Sequence, residues 1–183
     1  MPRLFSSNRE RRLWIWALLV VVVIYTTLGL TPKLVGQISD VVLAGLFVAC
    51  LILVGVAILT QGLRVRPGGL EMGVALGIAA VYTLFAVRLA IPERSHLMEY
   101  GVLAVLVYEA ISERVNNGHR ILLPAVCAFI STSLIGIIDE CIQLYLPNRV
   151  FDWRDILFNI LAALCGVLGM KVLNWARDRS RKA

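Results

Sequence analysis

Three short segments of an otherwise apolar chain hold side chains that can do chemistry. They contain His96, Glu99 and Tyr100; Asp139, Glu140 and Gln143; and Arg149, Asp152, Asp155 and Asn159. Carboxylate and imidazole groups transfer protons in acid–base catalysis, and a guanidinium binds phosphate or carboxylate through two parallel hydrogen bonds. Together these groups suit either a reaction on an anionic substrate or its binding.

The first segment has the spacing of one helical face. Residues three or four apart lie on the same side of a helix, so His96 aligns with Glu99 and Tyr100. A histidine that shares a face with a carboxylate has the arrangement of an oriented base. The alternative is a histidine near a membrane interface that only satisfies its hydrogen bonds, and both interpretations stay open.

The other two segments show the same periodicity. Asp139 aligns with Gln143, and Asp155 aligns with both Asp152 and Asn159. Capping is a competing explanation for the third segment, because acids just before an apolar run are typical of a helix N-terminus. It accounts well for Asp152, but the alignment with Asn159 is harder to explain by capping and favours a function for Asp155.

Structural roles also compete for the remaining polar residues. Asp139 and Glu140 could mark the interfacial end of a long helix. However, two acids followed by a glutamine and then by Arg149 are more polar residues than are needed to hold a helix end at the membrane interface. This pattern therefore favours a function for Asp139 and Glu140. Arg149 itself would ordinarily be a solvated charge in a short turn, and binding of an anionic group is the equal alternative.

The composition indicates that lipid rather than water surrounds most of the chain. Of its 183 residues, 59% are hydrophobic and 16% are charged, whereas soluble domains carry roughly 25% charged residues. The net charge of +6 does not indicate nucleic-acid binding, because the basic residues lie in short segments between apolar runs. We therefore expect no nucleic-acid partner and interpret the charge as a signal of membrane topology.

Apolar runs long enough to cross a roughly 30 Å hydrocarbon layer predict an all-α, polytopic transmembrane bundle. The six predicted spans cover residues 13–30, 41–59, 70–90, 97–111, 121–146 and 156–175. The fourth is the weakest, because Glu99 and Glu109 would each cost about 2.5–3.5 kcal/mol near the bilayer centre. We expect this helix to lie inside the bundle. Small residues four apart, which let helices approach closely, occur at Gly73 and Gly77 and at Ala162 and Gly166.

The distribution of lysine and arginine predicts that both termini lie in the cytoplasm. With an inside N-terminus, 13 of the 18 Lys and Arg residues fall in cytoplasmic segments, as expected because basic loops resist translocation. The three polar segments then lie at the extracytoplasmic ends of spans four, five and six. The predicted site is a shallow cleft that faces outward.

The polar segments also resemble a known family pattern. The downstream part reads Asp139-Glu140-x-x-Gln143, Pro147-Asn148-Arg149-x-x-Asp152-x-x-Asp155, and then Asn159 and Gly166. The upstream part reads His96-x-x-Glu99-Tyr100-Gly101. Both resemble the VanZ-like family, over about residues 88–170. On this basis we expect a two-span segment with a basic cytoplasmic tail at 1–69 and a VanZ-like four-span core with a basic C-terminal tail at 70–183.

The family is associated with resistance to teicoplanin, a glycopeptide that binds cell-wall precursors outside the cell. The resemblance therefore implies a multi-pass protein of the bacterial plasma membrane with a role in the cell envelope. The expected partners are membrane lipids and a lipid-linked cell-wall precursor or amphipathic glycopeptide. No reaction is implied, so enzymatic activity and oligomeric state stay open.

Two hypotheses follow for the site. In the first, an enzyme works on an envelope substrate: Asp139, Glu140 and Asp155 act as acid, base or metal ligands, and His96 with Glu99 moves a proton. The residues assigned to substrate binding are Gln143, Arg149, Asp152, Asn159 and Tyr100. A divalent metal suits the oxygen ligands, but the spacing does not demand one. In the second hypothesis, a non-catalytic module binds an antibiotic, a lipid or a partner protein.

Overall fold

The computed structural model describes residues 4–35, 68–88, 91–146 and 151–182. These residues form five helices and no strand. The helices are α1 Asn8–Val35, α2 Gly69–Arg88, α3 Ile91–Asn116, α4 Pro124–Gln143 and α5 Trp153–Lys182. The predicted all-α class is confirmed for this part of the chain.

Five of the six predicted spans coincide with helices. The exception is 41–59, which lies outside the described residues. α3 extends beyond the predicted 97–111 at both ends, because its additional turns are polar and a hydropathy pattern marks only the apolar part of a helix. α4 begins at Pro124. Proline is favourable at this position, because a backbone N–H in the first turn of a helix has no partner within the helix and its absence costs nothing.

Two of the described helices are long and apolar enough to cross a membrane. Their most apolar windows have a mean hydropathy of 1.8 in α4 and 2.2 in α5. α2 contributes a shorter apolar segment, Gly69–Phe85. The fold is therefore compatible with a membrane protein, while six spans and the orientation with both termini inside remain predictions.

α4 exposes apolar side chains and buries polar ones, which is the reverse of the usual pattern for a helix in a soluble protein. Ile130, Leu134 and Ile138 are 49%, 52% and 50% exposed on one face, whereas Thr132 and Glu140 are buried. In water, exposed apolar surface costs roughly 25 cal/mol per Å², but lipid chains accept it. α5 shows the same pattern, with exposed Leu157, Leu161 and Leu168 and buried Asn159.

The chain divides into two compact units, which we describe separately. The first contains the described residues of Met1–Gly29 and Ala90–Met170, and the second those of Leu30–Leu89 and Lys171–Ala183. In the second unit, Arg177 Nε donates a hydrogen bond to Glu71 Oε1 at 2.9 Å. The described residues of the candidate site all belong to the first unit. The division into 1–69 and 70–183 stays a prediction.

Two glycines bring helices of the first unit close together. A Cβ at Gly166 of α5 would lie 2.7 Å from the carbonyl oxygen of Gly101 in α3, so this approach requires glycine. A Cβ at Gly136 of α4 would lie 2.7 Å from Asn159 Cβ of α5. α3 and α4 also pack against each other. The first half of α5 is thus held against both neighbours.

Ion pairs join the start of α1 to the end of α3. Arg9 pairs with Glu109 at 2.7 Å and with Glu113 at 2.9 Å, and Ser7 donates a hydrogen bond to Glu113 at 2.8 Å. We call Ser7, Arg9, Glu109 and Glu113 the α1–α3 ion cluster. The Ser7 bond, a further bond from Asn117 and the charge of Arg9 hold the pKa of Glu113 below its usual 4.5.

Candidate functional site

His96, Asp139 and Glu140 form the centre of the candidate site. One nitrogen of His96 and one carboxylate oxygen of each acid all lie within 4.8 Å of one another. His96 stands near the start of α3, and both acids stand near the end of α4. The short connection between these packed helices makes them antiparallel, which brings the start of one to the end of the other.

The three side chains are shielded from solvent. Asp139 is 1% and Glu140 0% exposed, and the side chain of His96 is 12% exposed. A buried carboxylate is costly unless it is protonated, hydrogen-bonded or bound to a cation. Side chains kept at such a cost are candidates for function.

Asp155 extends the site to α5. Its Oδ2 lies 3.7 Å from His96 Nε2, and its charge acts on Glu140 together with those of Asp139 and Asp152. A separation of 3.7 Å allows an ion pair with a protonated histidine but is too long for a hydrogen bond. We call His96, Asp139, Glu140 and Asp155 the acid–histidine cluster. The structure thus brings together four of the five residues predicted as catalytic, although their catalytic role remains a prediction.

The spacing aligned Gln143 with Asp139, and the structure shows that Gln143 bonds to Glu140. Gln143 Nε2 donates a hydrogen bond to Glu140 Oε1 at 2.7 Å, and both side chains are buried. Spacings of three and four both place residues on neighbouring parts of a helix face, so periodicity does not decide between the two acids. Gln143 orients the carboxylate of Glu140, and substrate binding by Gln143 stays a prediction.

Tyr100 packs beside the acid–histidine cluster. It is 0% exposed, and its ring stacks with that of His96 at a centroid distance of 6.2 Å and an interplanar angle of 16°. The charges of Asp139 and of Glu99, the fifth residue predicted as catalytic, act on its hydroxyl. His96, Glu99 and Tyr100 are therefore close together, as their helical spacing predicted.

Tyr25 was not predicted from the sequence to belong to the site. Its hydroxyl donates a hydrogen bond to the carbonyl of Ile135 at 3.3 Å, and the charge of Asp139 acts on it. The available signal was a phenol within the long aliphatic run of the first span, because a hydroxyl at that depth needs a polar partner. α1 therefore also contributes to the surroundings of Asp139.

The remaining residues predicted to bind substrate have different surroundings. Asp152 Oδ1 accepts a hydrogen bond from the backbone N–H of Arg154 at 2.8 Å, so Asp152 caps α5. Asn159 is 0% exposed, and its Nδ2 donates to the carbonyl of Gly136 at 3.3 Å. These contacts serve the fold, and binding of substrate by either residue stays a prediction. Arg149 lies outside the described residues.

In the part of the chain that the structure describes, the fold is all-helical, with exposed apolar faces and with His96, Asp139 and Glu140 gathered inside. The model of the VanZ/LLP1 family matches residues 72–174, more than half of the chain, and the chain belongs to this family. The resemblance seen in the polar segments is thereby confirmed, and the match extends it into α2. No curated protein and no solved structure shows significant similarity to the chain.

Proposed function

We propose that the chain is a six-span protein of the bacterial plasma membrane, with both termini inside and the acid–histidine cluster on the extracytoplasmic side. There it modifies or binds a lipid-linked or amphipathic envelope substrate and contributes to glycopeptide resistance of the teicoplanin type. Membership of the VanZ/LLP1 family supports the resistance context. The observation that carries the site is the convergence of His96, Asp139 and Glu140 within 4.8 Å.

The distribution of charge in the first unit supports this orientation. Along α3, the acid–histidine cluster at His96 and the α1–α3 ion cluster at Glu113 are about 25 Å apart, close to the roughly 30 Å of a hydrocarbon layer. Basic residues are concentrated near the second of these ends, at Arg9, Arg11, Arg12, Arg114 and Arg120. Because basic segments stay in the cytoplasm, we assign the acid–histidine cluster to the outer end.

Stability alone does not account for the buried acids. Moving a carboxylate out of water costs several kcal/mol even after the protein relaxes, and an apolar side chain of similar volume would avoid this cost. Ionisable groups inside a membrane bundle are therefore functional candidates by default. His96 beside Asp139 and Glu140 can hold and transfer a proton at a place shielded from water.

Each residue of the site has a role in the enzymatic form of the proposal. His96 with Glu99 moves a proton, while Asp139, Glu140 and Asp155 supply the acid and the base. Gln143 and Tyr100 position these groups through the contacts described above. Arg149, Asp152 and Asn159 complete the binding of substrate, with the guanidinium on a phosphate or carboxylate.

A non-catalytic binding module is the second candidate. Asp152 caps α5 and Asn159 joins α5 to α4, so part of the polar pattern serves structure. The other polar groups would then bind an antibiotic, a lipid or a partner protein without breaking a bond. In this form of the proposal, the acid–histidine cluster sets the charge and shape of the binding surface.

Resistance measurements test the site. His96→Ala, Asp139→Asn, Glu140→Gln and Arg149→Ala are each expected to reduce teicoplanin tolerance at an unchanged level of protein in the membrane. His119→Ala is the matched control, because this second histidine is exposed and lies after α3, outside the acid–histidine cluster. If all four variants protect cells as well as the wild-type chain does, the proposed site is wrong.

Mass spectrometry separates the two candidate functions. Envelope lipids and wall fragments are compared between cells with the wild-type chain, cells with Glu140→Gln and cells without the protein. A change in mass that requires Glu140 supports the enzyme. Loss of resistance in the Glu140→Gln cells, with the same masses in all three samples, supports the binding module.

A further inference from the structure

We propose that His96, Asp139 and Glu140 bind one divalent transition-metal ion. This inference goes beyond the proposed function, because metal binding requires neither an outward orientation nor a substrate. In the sequence, carboxylate and amide side chains provide possible oxygen ligands, but their spacing does not by itself predict a metal site. The structure adds a histidine nitrogen to two buried carboxylates, and this ligand set is specific enough to identify a class of ion.

The ligand atoms are close enough for one ion to reach all three. They lie within 4.8 Å of one another. A tetrahedral zinc ion binds histidine nitrogen at about 2.0–2.1 Å and carboxylate oxygen at about 2.0–2.2 Å, so two of its ligands are roughly 3.3–3.6 Å apart. Small side-chain rotations bring the three atoms into this range. Packing of α3 against α4 holds the backbone positions from which the ligands extend.

One buried side-chain atom of Glu140 and one of His96 have no hydrogen-bond partner among the described residues. Glu140 is 0% exposed, and while its Oε1 accepts the bond from Gln143, its Oε2 accepts none. His96 Nδ1 is buried and has no partner either. Buried polar atoms without a partner are uncommon in native proteins. A cation between His96 and Glu140 would satisfy both atoms.

The charges around Glu140 also favour a cation. Those that act on it come from Asp155, Asp139 and Asp152. Two adjacent buried carboxylates are costly unless a cation or hydrogen bonds compensate their charge. A divalent ion would compensate the charge of both Asp139 and Glu140.

The combination of ligands identifies the class of metal. Imidazole nitrogen with carboxylate oxygen suits first-row ions such as Zn²⁺ and Mn²⁺, whereas Mg²⁺ and Ca²⁺ take oxygen ligands. Asp155 faces His96 Nε2 at 3.7 Å. A carboxylate beside the non-ligating nitrogen commonly orients a metal-bound histidine, so we assign Nδ1 as the ligand and Asp155 as a positioning residue.

Calorimetric titration of the full chain tests the proposal. The protein is purified in detergent, stripped with a chelator and titrated with Zn²⁺ and, separately, with Mn²⁺, and bound metal is counted by elemental mass spectrometry. We expect one ion per chain with at least one of the two metals. His96→Ala and Glu140→Gln should each weaken binding at least tenfold, since even residues that only support metal ligands cost about 10- to 100-fold in affinity when replaced.

Matched variants separate this site from adventitious binding at the surface. His119→Ala and Asp178→Asn remove an exposed histidine and an exposed acid outside the acid–histidine cluster, and both should bind metal like the wild type. Thermal unfolding checks that each variant is folded, and the nearly isosteric Glu140→Gln guards against a folding defect in His96→Ala. The proposal is overturned if the wild-type chain binds neither ion, or if His96→Ala and Glu140→Gln bind as tightly as the wild type.

Failure of the metal site and failure of the proposed function give different results. If the wild-type chain binds neither ion but Glu140→Gln lowers resistance, the metal site is wrong and the proposed function stands. If an ion binds through His96 and Glu140 but neither substitution lowers resistance, the metal site is right and its role in resistance is wrong.

Discussion

Glu140 is oriented by a neutral donor and surrounded by acids. Gln143 fixes one of its oxygens, and the charges of Asp155, Asp139 and Asp152 act on it. A buried carboxylate among like charges opposes folding. Active and binding sites often contain residues that lower the stability of the protein. Glu140 is such a residue, because it is a buried acid among other acids.

Replacing Glu140 by glutamine should therefore stabilise the metal-free protein. We expect Glu140→Gln to raise the free energy of unfolding by about 1 kcal/mol, because a neutral amide of the same shape removes a buried charge. Thermal unfolding in detergent with a chelator measures this change. The matched substitution Glu113→Gln should instead destabilise, since it weakens bonds with Ser7 and Arg9. A clear loss of stability in Glu140→Gln would contradict this interpretation.

Glu113 should make stability depend on pH at the opposite end of α3. Hydrogen bonds from Ser7 and Asn117 and the charge of Arg9 lower its pKa in the folded state from 4.5. The stabilisation from this group is thus present above the unfolded pKa and is lost as the pH falls through the lower folded pKa. Unfolding temperatures between about pH 6 and pH 3 should fall more steeply for the wild type than for Glu113→Gln. Parallel curves would show that Glu113 carries no such stabilisation.

Among the helices, the same sequence pattern has two different outcomes. Gly73 and Gly77 have the spacing of Ala162 and Gly166, yet a Cβ at either glycine of α2 would meet no described residue within 4 Å, whereas Gly166 contacts α3. Spacing identifies small residues on one face of a helix. It does not identify the helix they face, because that partner is distant along the chain.

Alanine at the two kinds of glycine should separate these cases. Gly166→Ala places a methyl group 2.7 Å from the Gly101 carbonyl oxygen and is expected to cost about 1–3 kcal/mol of stability through overpacking. Gly73→Ala is the control and should be neutral or stabilise by up to about 1 kcal/mol, since alanine favours helix. Thermal unfolding in detergent measures both. Equal effects would mean that the contact at Gly166 does not limit packing.

The helices themselves were predictable, and several of the contacts that build the site were not. Apolar runs predicted α1, α4 and α5 because helix formation depends on neighbouring residues. The hydrogen bond from Gln143 to Glu140 depends on side-chain rotamers. The closeness of Tyr25 to Asp139 depends on packing between segments that are distant along the chain. The convergence of the polar segments was predicted in outline, since all were assigned to one level of the membrane.

Across the first unit, two polar regions are separated by apolar helix. The acid–histidine cluster occupies one end of α3 and the α1–α3 ion cluster the other, while large apolar side chains are exposed along α4 and α5. This arrangement suits a bilayer, with a polar region at each interface and lipid against the helices between them. Family membership was also recognisable from the sequence, because the motif residues are close together along the chain.

Accessibility of position 148, which precedes α5 in the sequence, tests the outward-facing site most directly. All four cysteines of the chain are replaced, single cysteines are introduced by Asn148→Cys and Asn117→Cys, and intact cells are treated with a membrane-impermeant maleimide. We predict labelling of Asn148→Cys in intact cells and labelling of Asn117→Cys only after lysis. Protection at position 148 together with labelling at position 117 would place the acid–histidine cluster at the cytoplasmic end and contradict the proposed function.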